Sequence, residues 1–593
     1  MMERDKIMTP CAVRELIADG QTIVIFEDYV LRLDSWLGKH PGGSLAILHM
    51  VGKDATDEIN AYHLSTTLKT MKAYRIGRKP PGVWANTTPP IRGGIYEKRD
   101  ASLFDTPVDV PEGSSDTDGV VSDDSISLAS DDQSSLSSIS SLTESITDLK
   151  DVRSSEEKQT MHWRAPVFNS KTGEKGGLAA DDHASSAPVA AASRVAMSGD
   201  AFVAQAVQQE VDHDNGIYPS LDPAVQQEIV IKYRQLHQKV QDMGYYECPY
   251  LDYGKEMLRY SLLFTGFIVA LRYEWFITSA IMLGTFWQQI MFTAHDAGHR
   301  AITKNFVVDT LIGMFVADFC CGLSIGWWKS SHNVHHLITN SPEHDPDIQN
   351  TPIFATAPAF LKNLRSSYYD GFIFYWDAAA EFLVPYQAYT YYPIMGLARF
   401  NLYLLSWLHV LSAKSSALGS SKAWWIRPGE IAFMTCYWYI FGYLLLWCTL
   451  PNWTIRVAFV LISHIVTMPL HVQITLSHWG MSHSEMGETE SFPQRQLRTT
   501  MDVDCPAWFD FYHGGLQFQA VHHLFPRVPR HNLRKVQVLV REFCKDTGIP
   551  YSILGFVDGN KKVIGRLGEL GEQVKIMVNC QKYMAETGES GLH

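Results

Sequence analysis

Three short histidine-rich stretches carry the residue types and spacings that could do chemistry. The first is His295-Asp296-Ala297-Gly298-His299. The second is His332-Asn333-Val334-His335-His336, and the third is Gln519-Ala520-Val521-His522-His523. On a helix, the spacings of the first two put their imidazoles on one face. Neutral imidazole is a ligand for iron, zinc or copper. Seven histidines are too many for one tetrahedral zinc, but they suit two metal ions that keep positions open for oxygen. Crowded imidazolium groups would repel one another, so the cluster makes sense neutral and metal-bound. One such pair alone could be a surface feature of a helix; three groups in this order and spacing argue against that. Asp296 follows His295 where zinc proteases carry a glutamate, so HExxH chemistry is excluded. The ExxH pattern of soluble di-iron bundles is absent from the three stretches.

A second histidine set lies near the N-terminus. The sequence SWLGKHPGGSLAIL followed by GKDATDEINAYH resembles the cytochrome b5 domain through His40-Pro41-Gly42-Gly43, Gly52, Asp54-Ala55-Thr56 and His63. The resemblance implies that His40 and His63 ligate haem b from opposite faces. Two axial imidazoles leave no site for oxygen, so the module would carry electrons.

The three stretches together resemble the histidine boxes of the membrane fatty-acid desaturase and hydroxylase superfamily. Gln519 at the head of the third box, a fused cytochrome b5 domain and QAVHHLFPRVPRHNL are similar to the front-end desaturases. HNVHH with NSPEHDPD, and HVQITLSHW, look most like fungal sphingolipid Δ8-desaturases. The resemblance covers about residues 8–77 and 250–545.

It implies a di-iron centre held by His295, His299, His332, His335, His336, His522 and His523. One further ligand is expected near the end of the last span: His478, with His471 and His483 as alternatives. Gln519 would ligate iron, or hold a water or a neighbouring imidazole. His344 and His531 would support the ligands. O2 is the implied co-substrate, and electrons would come from NADH through a separate cytochrome b5 reductase. The implied substrate is the long-chain base of a ceramide. The alternatives are an acyl lipid, as in Δ5/Δ6-type front-end desaturases, a hydroxylase reaction, or a membrane-anchored haem electron carrier whose boxes hold no iron.

These residues need elements to position them. The expected fold is multidomain. Residues 8–80 alternate strand-like and helical runs and form a small α+β haem domain. Residues 105–200, with runs such as SSLSSISSLTES, cannot bury enough apolar surface to offset their ordering entropy and are expected to be a disordered linker. Residues 221–550 form an all-α, four-span membrane domain, opening with an amphipathic helix after Asp222 with Pro223 in its first turn. Residues 551–593 are expected to be a tail. Four stretches approach the ~20 apolar residues a span needs: 253–271, 275–292, 431–450 and 457–476. Phe306–Trp328 contains Asp309 and Asp318, and Leu397–Ala413 contains Arg399, Asn401 and His409, so both are expected to lie in the interface or cover the site.

With the N-terminus in the cytosol, this topology brings every box and the haem domain to one cytosolic face, and the endoplasmic reticulum is the expected membrane. The N-terminal MMERDKIMTP opens no apolar run, so internal spans are expected to anchor the protein. The net charge of −13 and the absence of a basic cluster argue against a nucleic-acid partner. Nine unpatterned cysteines suit a reducing compartment.

Overall fold

The computed structural model describes residues 3–97, 162–163, 197–412, 415 and 423–587. Most of the expected linker therefore lies outside the described residues. Of it, the structure gives the antiparallel pair His162–Trp163 with Met197–Ser198 and the first two residues of the next helix.

The N-terminal module contains α1 (Pro10–Ala18), β1 (Ile23–Phe26), β2 (Tyr29–Arg32), α2 (Asp34–Leu37), α3 (Ser44–Leu48), α4 (Thr56–Tyr62), α5 (Ser65–Met71) and β3 (Arg75–Arg78). The sheet order is β1-β2-β3, antiparallel, with Phe26 paired to Tyr29 across a tight hairpin. All four residues of β1 are buried because the sheet is covered on both faces. Alternation sends Ile23 and Ile25 toward Val13 and Ile17 of α1. Val24 and Phe26 go the other way, toward Ile47, Met50 and Ile59.

The rest of the described chain is helical. Before the first box come α6 (Gly199–Ile217), α7 (Pro223–Asp242), α8 (Tyr250–Arg272) and α9 (Phe276–Gly298). Helix α7 starts where the sequence predicts, its first turn capped by Asp222, which accepts from the Ala224 amide at 2.8 Å. Helices α8 and α9 are joined through Glu274, at φ 60°. Then come α10 (Phe306–Gly313), α11 (Ile325–Leu337), α12 (Ala378–Leu383) and α13 (Gln387–Leu411). These are followed by α14 (Ile426–Trp438), α15 (Trp453–Ile465), α16 (Met468–Leu476) and α17 (Phe492–Thr499). The series closes with α18 (Asp510–His513), α19 (Gln519–Leu524), α20 (Leu533–Thr547) and α21 (Phe556–Thr587).

Among the described residues, three helical stretches are each long and apolar enough to cross a membrane: Ala378–Leu411, Ile426–Thr449 and Trp453–Trp479. The last two correspond to the expected spans at 431–450 and 457–476. The first corrects the reading of Leu397–Ala413 as a covering helix. Two of its polar residues, Arg399 and His409, are buried; Arg399 donates to the Cys321 carbonyl at 2.8 Å and lies over the Trp287 ring.

The expected spans at 253–271 and 275–292 form α8 and α9, yet neither passes the same length and composition test. Glu256, Tyr260, Gln288, Gln289 and Asp296 on their inner faces are buried, while Leu258, Leu262, Ile268 and Val269 are exposed. Mean hydropathy sums both faces; an outer apolar stripe of this size is what lipid would cover. Helix α9 packs closely on α15. A Cβ at Gly284 would run into the Ser463 carbonyl and approach Val466 at 2.8 Å.

Phe306–Trp328 runs through two helices that together are apolar enough to cross a membrane. The helical stretch Phe306–Cys320 and α11 meet at a 115° bend. The bend returns the chain, so the second box faces the first.

The expected tail is also corrected. Strand Ile553–Gly555 pairs parallel with Asp502–Asp504. In α21, Val563, Leu567, Leu570 and Val574 recur at helical spacing and are all fully buried against residues such as Val384, Tyr391 and Leu476. Glycines 559, 565, 568 and 571 dilute that stripe in the sequence.

The haem module is seated on the helical domain. Lys53 pairs with Glu488 at 2.8 Å, Arg92 with Glu485 at 2.8 Å, and Asp57 with Arg234 at 2.7 Å. Asn86 donates to the Glu488 carbonyl at 3.0 Å.

Candidate haem and metal centre

His40 lies between α2 and α3, and His63 terminates α4. The two rings face each other with centroids 5.9 Å apart. Two imidazoles on one iron, each with N about 2 Å from it, put their centroids roughly 6 Å apart. Each Nδ1 is engaged by its own backbone, His40 with the Gly43 carbonyl and His63 with the Ile59 carbonyl, both at 2.9 Å. That fixes the tautomer and turns Nε2 toward the gap. Burial and the neighbouring His40 push His63 down to about 3, so it stays neutral, the form that ligates. A Cβ at Gly42 would press on the His40 ring at 2.9 Å. The surrounding cavity, about 450 Å³, is lined by Val24, Leu33, Ile47, Met50 and Ile59 among others. These residues fit a haem.

The three boxes meet in the helical domain. His295 and the His299 that ends α9 come from the first box. His332, His335 and His336 come from the last turns of α11, and His522 and His523 from α19. Two groups form. His295, His299, His332 and His522 make one; His335, His478 and His523 make the other. Within each, the candidate ligand atoms lie within 4.8 Å of one another.

His336 stands between the groups. Its ring stacks on His523 at 4.0 Å and lies 5.0 Å from His299 and 4.8 Å from His522. Gln519 opens α19 and lines a second cavity beside the boxes. The Nε2 atoms of His295, His299, His522 and His523, the Nδ1 atoms of His336 and His478, and the Gln519 Oε1 are buried without a hydrogen-bond partner. A buried polar atom left unpaired costs about 1–3 kcal/mol. This many, converging, fit two metal ions.

Of the three candidates at the end of the last span, His478 joins the cluster. His471 lines the cavity beside it but belongs to neither group. His483 turns away to Thr356 at 3.0 Å and the Met481 carbonyl at 2.9 Å. His344 is also outside, bonded to Ser367 at 3.0 Å with its ring 5.4 Å from His49 of the haem module. His531 lies 3.2 Å from Glu256.

Several supporting residues were not singled out from the sequence. Asp345, fully buried, accepts from His335 Nδ1 and from the Asn340 amide, both at 2.8 Å. Gln496 Oε1 accepts from His523 Nδ1 at 2.9 Å, while its amide donates to the His336 carbonyl at 2.7 Å. Both bonds leave the opposite ring nitrogen for a metal. Arg530 bridges Asp296 and Glu256 and donates to the Phe292 carbonyl at 3.0 Å, locking the third-box segment to α8 and α9. Asp345 sits in the quoted NSPEHDPD; Gln496 carries no local signal at all.

The cluster closes one end of a cavity of about 900 Å³. His295, His332, His335, His478, Gln519, His522 and His523 line that cavity, and Ile353, Phe354, Ile394, Met395, Leu402, Leu405, Leu470 and Ile474 supply apolar wall. Such a lining suits a hydrocarbon chain.

Comparison with known proteins agrees with this geometry. Residues 9–79 match the cytochrome b5-like heme/steroid binding domain, and residues 274–555 match the fatty acid desaturase family. The chain is 44% identical to a delta 8-(E)-sphingolipid desaturase of Emericella nidulans, over 100% of this chain and 99% of that protein. It is 44% identical to the protein of the same name from Komagataella phaffii, over 96% and 94% of the two chains. The Candida albicans protein of that name is 42% identical over 98% of each. The chain therefore belongs to the cytochrome b5-fused group of the fatty acid desaturase family that these relatives represent.

Proposed function

We propose that the protein inserts a double bond at the Δ8 position of the long-chain base of a sphingolipid, with the (E) geometry named for its relatives. Bound iron would supply the oxidising centre, charged by O2, that an unactivated C–H bond requires and no side chain can provide. His295, His299, His332 and His522 would hold one ion and His335, His478 and His523 the other. His336 and Gln519 would complete the set. His40 and His63 would hold the haem through which electrons arrive, supplied from NADH by a cytochrome b5 reductase.

The chain's own residues do the rest. The apolar wall holds two methylenes at a fixed distance from the histidine cluster, and a displacement of about an ångström would cost rate and regiochemistry. Asp345 and Gln496 engage the Nδ1 atoms of His335 and His523 and so leave the opposite ring nitrogens for metal. The protein would lie in the endoplasmic reticulum membrane with the haem module and the boxes on the cytosolic side. The short turn at residues 272–274 would face the lumen.

The observation that carries this reading is the cavity of about 900 Å³, whose lining joins the box histidines to an apolar wall. Expression in a host that makes only saturated long-chain bases, followed by mass spectrometry of those bases, tests it. Wild type should yield the Δ8-unsaturated base and His335→Ala none. Unchanged long-chain bases with new polyunsaturated acyl chains would overturn the sphingolipid assignment.

A further inference from the structure

The cavity between His40 and His63 is not closed by the N-terminal module alone. Its far wall comes from the desaturase domain, through His299, Arg300, Lys329, Asn333 and Arg527. Three of these are cations. Among the described residues, none of the three makes an ion pair with a carboxylate. Arg300 and Lys329 both lie over the Phe306 ring, at 4.8 and 5.9 Å, and Arg527 lies over Tyr246 at 5.4 Å. The Nε and Nη1 atoms of Arg527 are buried without an acceptor. The one carboxylate lining the cavity among the described residues is Glu58, on the module side, and it pairs with none of them. Asp309 attracts Arg300 and Lys329 without forming an ion pair with either, so three cations on one wall of a largely apolar cavity leave charge for a further anion.

The haem assigned to His40 and His63 carries two carboxylates on a single edge. We propose that Arg300, Lys329 and Arg527 bind those carboxylates, so that the desaturase domain completes the haem site. This rests on the haem reading of His40 and His63. Guanidinium groups suit the role because they engage carboxylates in a planar, bidentate fashion. The arrangement also orients the electron donor. The carboxylate edge then faces His299, which lines this cavity and belongs to the first metal-binding group. Tyr62 offers a second contact, its ring 6.0 Å from that of His336. Single side chains, His299 and Tyr62, thus connect the lining of this cavity to the boxes.

The test uses the full-length protein in detergent. Haem release to excess apomyoglobin and the haem midpoint potential are measured for wild type, Arg300→Gln, Lys329→Gln, Arg527→Gln and the triple variant. A charge-assisted hydrogen bond contributes about 1.5–3 kcal/mol, so each single variant should release haem roughly 10–150 times faster. The midpoint should move negative, because removing nearby cations favours ferric haem. In parallel, wild type is reconstituted with haem dimethyl ester, whose carboxylates are masked. It should lose haem as fast as the triple variant, and the triple variant should not distinguish ester from acid. Wild type holding the ester as tightly as haem would overturn the proposal, and that arm does not depend on any variant folding. Release rates and potentials unchanged in the substituted proteins would overturn it too. His63→Ala separates the two readings: if it keeps its Soret band the haem assignment itself fails. If it loses haem while the cation variants do not, only the clamp fails.

Discussion

Asp345→Asn removes one charge from beneath the metal cluster and almost no volume. The carboxylate is fully buried and accepts three hydrogen bonds, from His335 Nδ1 and the Asn340 amide at 2.8 Å and from the Asp347 amide at 2.9 Å. A carboxamide has one acceptor atom, so its NH2 group must confront at least one of those donors. A buried donor left unpaired costs about 1–3 kcal/mol. The His335 ring at best exchanges a carboxylate partner for a neutral amide oxygen, and weakening such a partner typically lowers metal affinity 10–100-fold, about 1.4–2.7 kcal/mol. Both effects fall on the group formed by His335, His478 and His523.

Non-haem iron should therefore leave the variant 10–100 times faster under chelator challenge, followed by metal analysis. The haem Soret band, which belongs to a separate module, serves as the internal standard for folded protein. Asp345→Ala should behave in the same direction and further. If Asp345→Asn keeps wild-type iron at wild-type chelator resistance while its haem content is normal, the bond orients nothing that matters. The metal reading of His335 would then be wrong.

Other consequences are independent of that bond. Arg498 is fully buried between Glu490, at 2.7 and 2.9 Å, and Asp214, so Arg498→Ala strands two buried carboxylates. It should destabilise the fold by roughly 3–5 kcal/mol, read as a lowered thermal midpoint in detergent. Ala398 lines the large cavity, and Ala398→Trp should cut product formation at least tenfold with haem and iron content unchanged. Wild-type turnover would show that the chain does not pass there.

His49 and His344 pack together where the haem module meets the helical domain, and burial lowers both, His344 to about 4. A histidine lowered on docking binds fewer protons docked than free, so its contribution is complete above pH ~6.5. It is lost progressively between there and about 4. Protease release of the module should accelerate across that window, and His49→Leu should flatten the profile.

What the sequence makes legible is local. The spacings within His295–His299 and His332–His336 encode one-faced clusters on single helices, and Asp222-Pro223 writes a helix start in two residues. What it hides is relational. Gln496 reaches both His523 and the His336 carbonyl across a fold that joins α17 to α11 and α19, and no neighbour in sequence announces it. Arg530 is one arginine among many until α8 and α9 present Glu256 and Asp296 to it. Helices α8 and α9 defeat hydropathy averaging because one face of each is built for that network and the other for lipid. Helix α21 reads as a tail because its glycines interrupt an apolar stripe that only a helix assembles. The seating of the haem module on the boxes also rests on pairs far apart in the chain, such as Lys53 with Glu488.

The most direct test is a metal count on purified full-length protein, with haem taken from the pyridine haemochrome and total iron from elemental analysis. Two non-haem irons for each haem are predicted in wild type, with His335→Ala losing non-haem iron and keeping its haem. One haem with no non-haem iron, in protein that still forms the Δ8 base, would contradict the account.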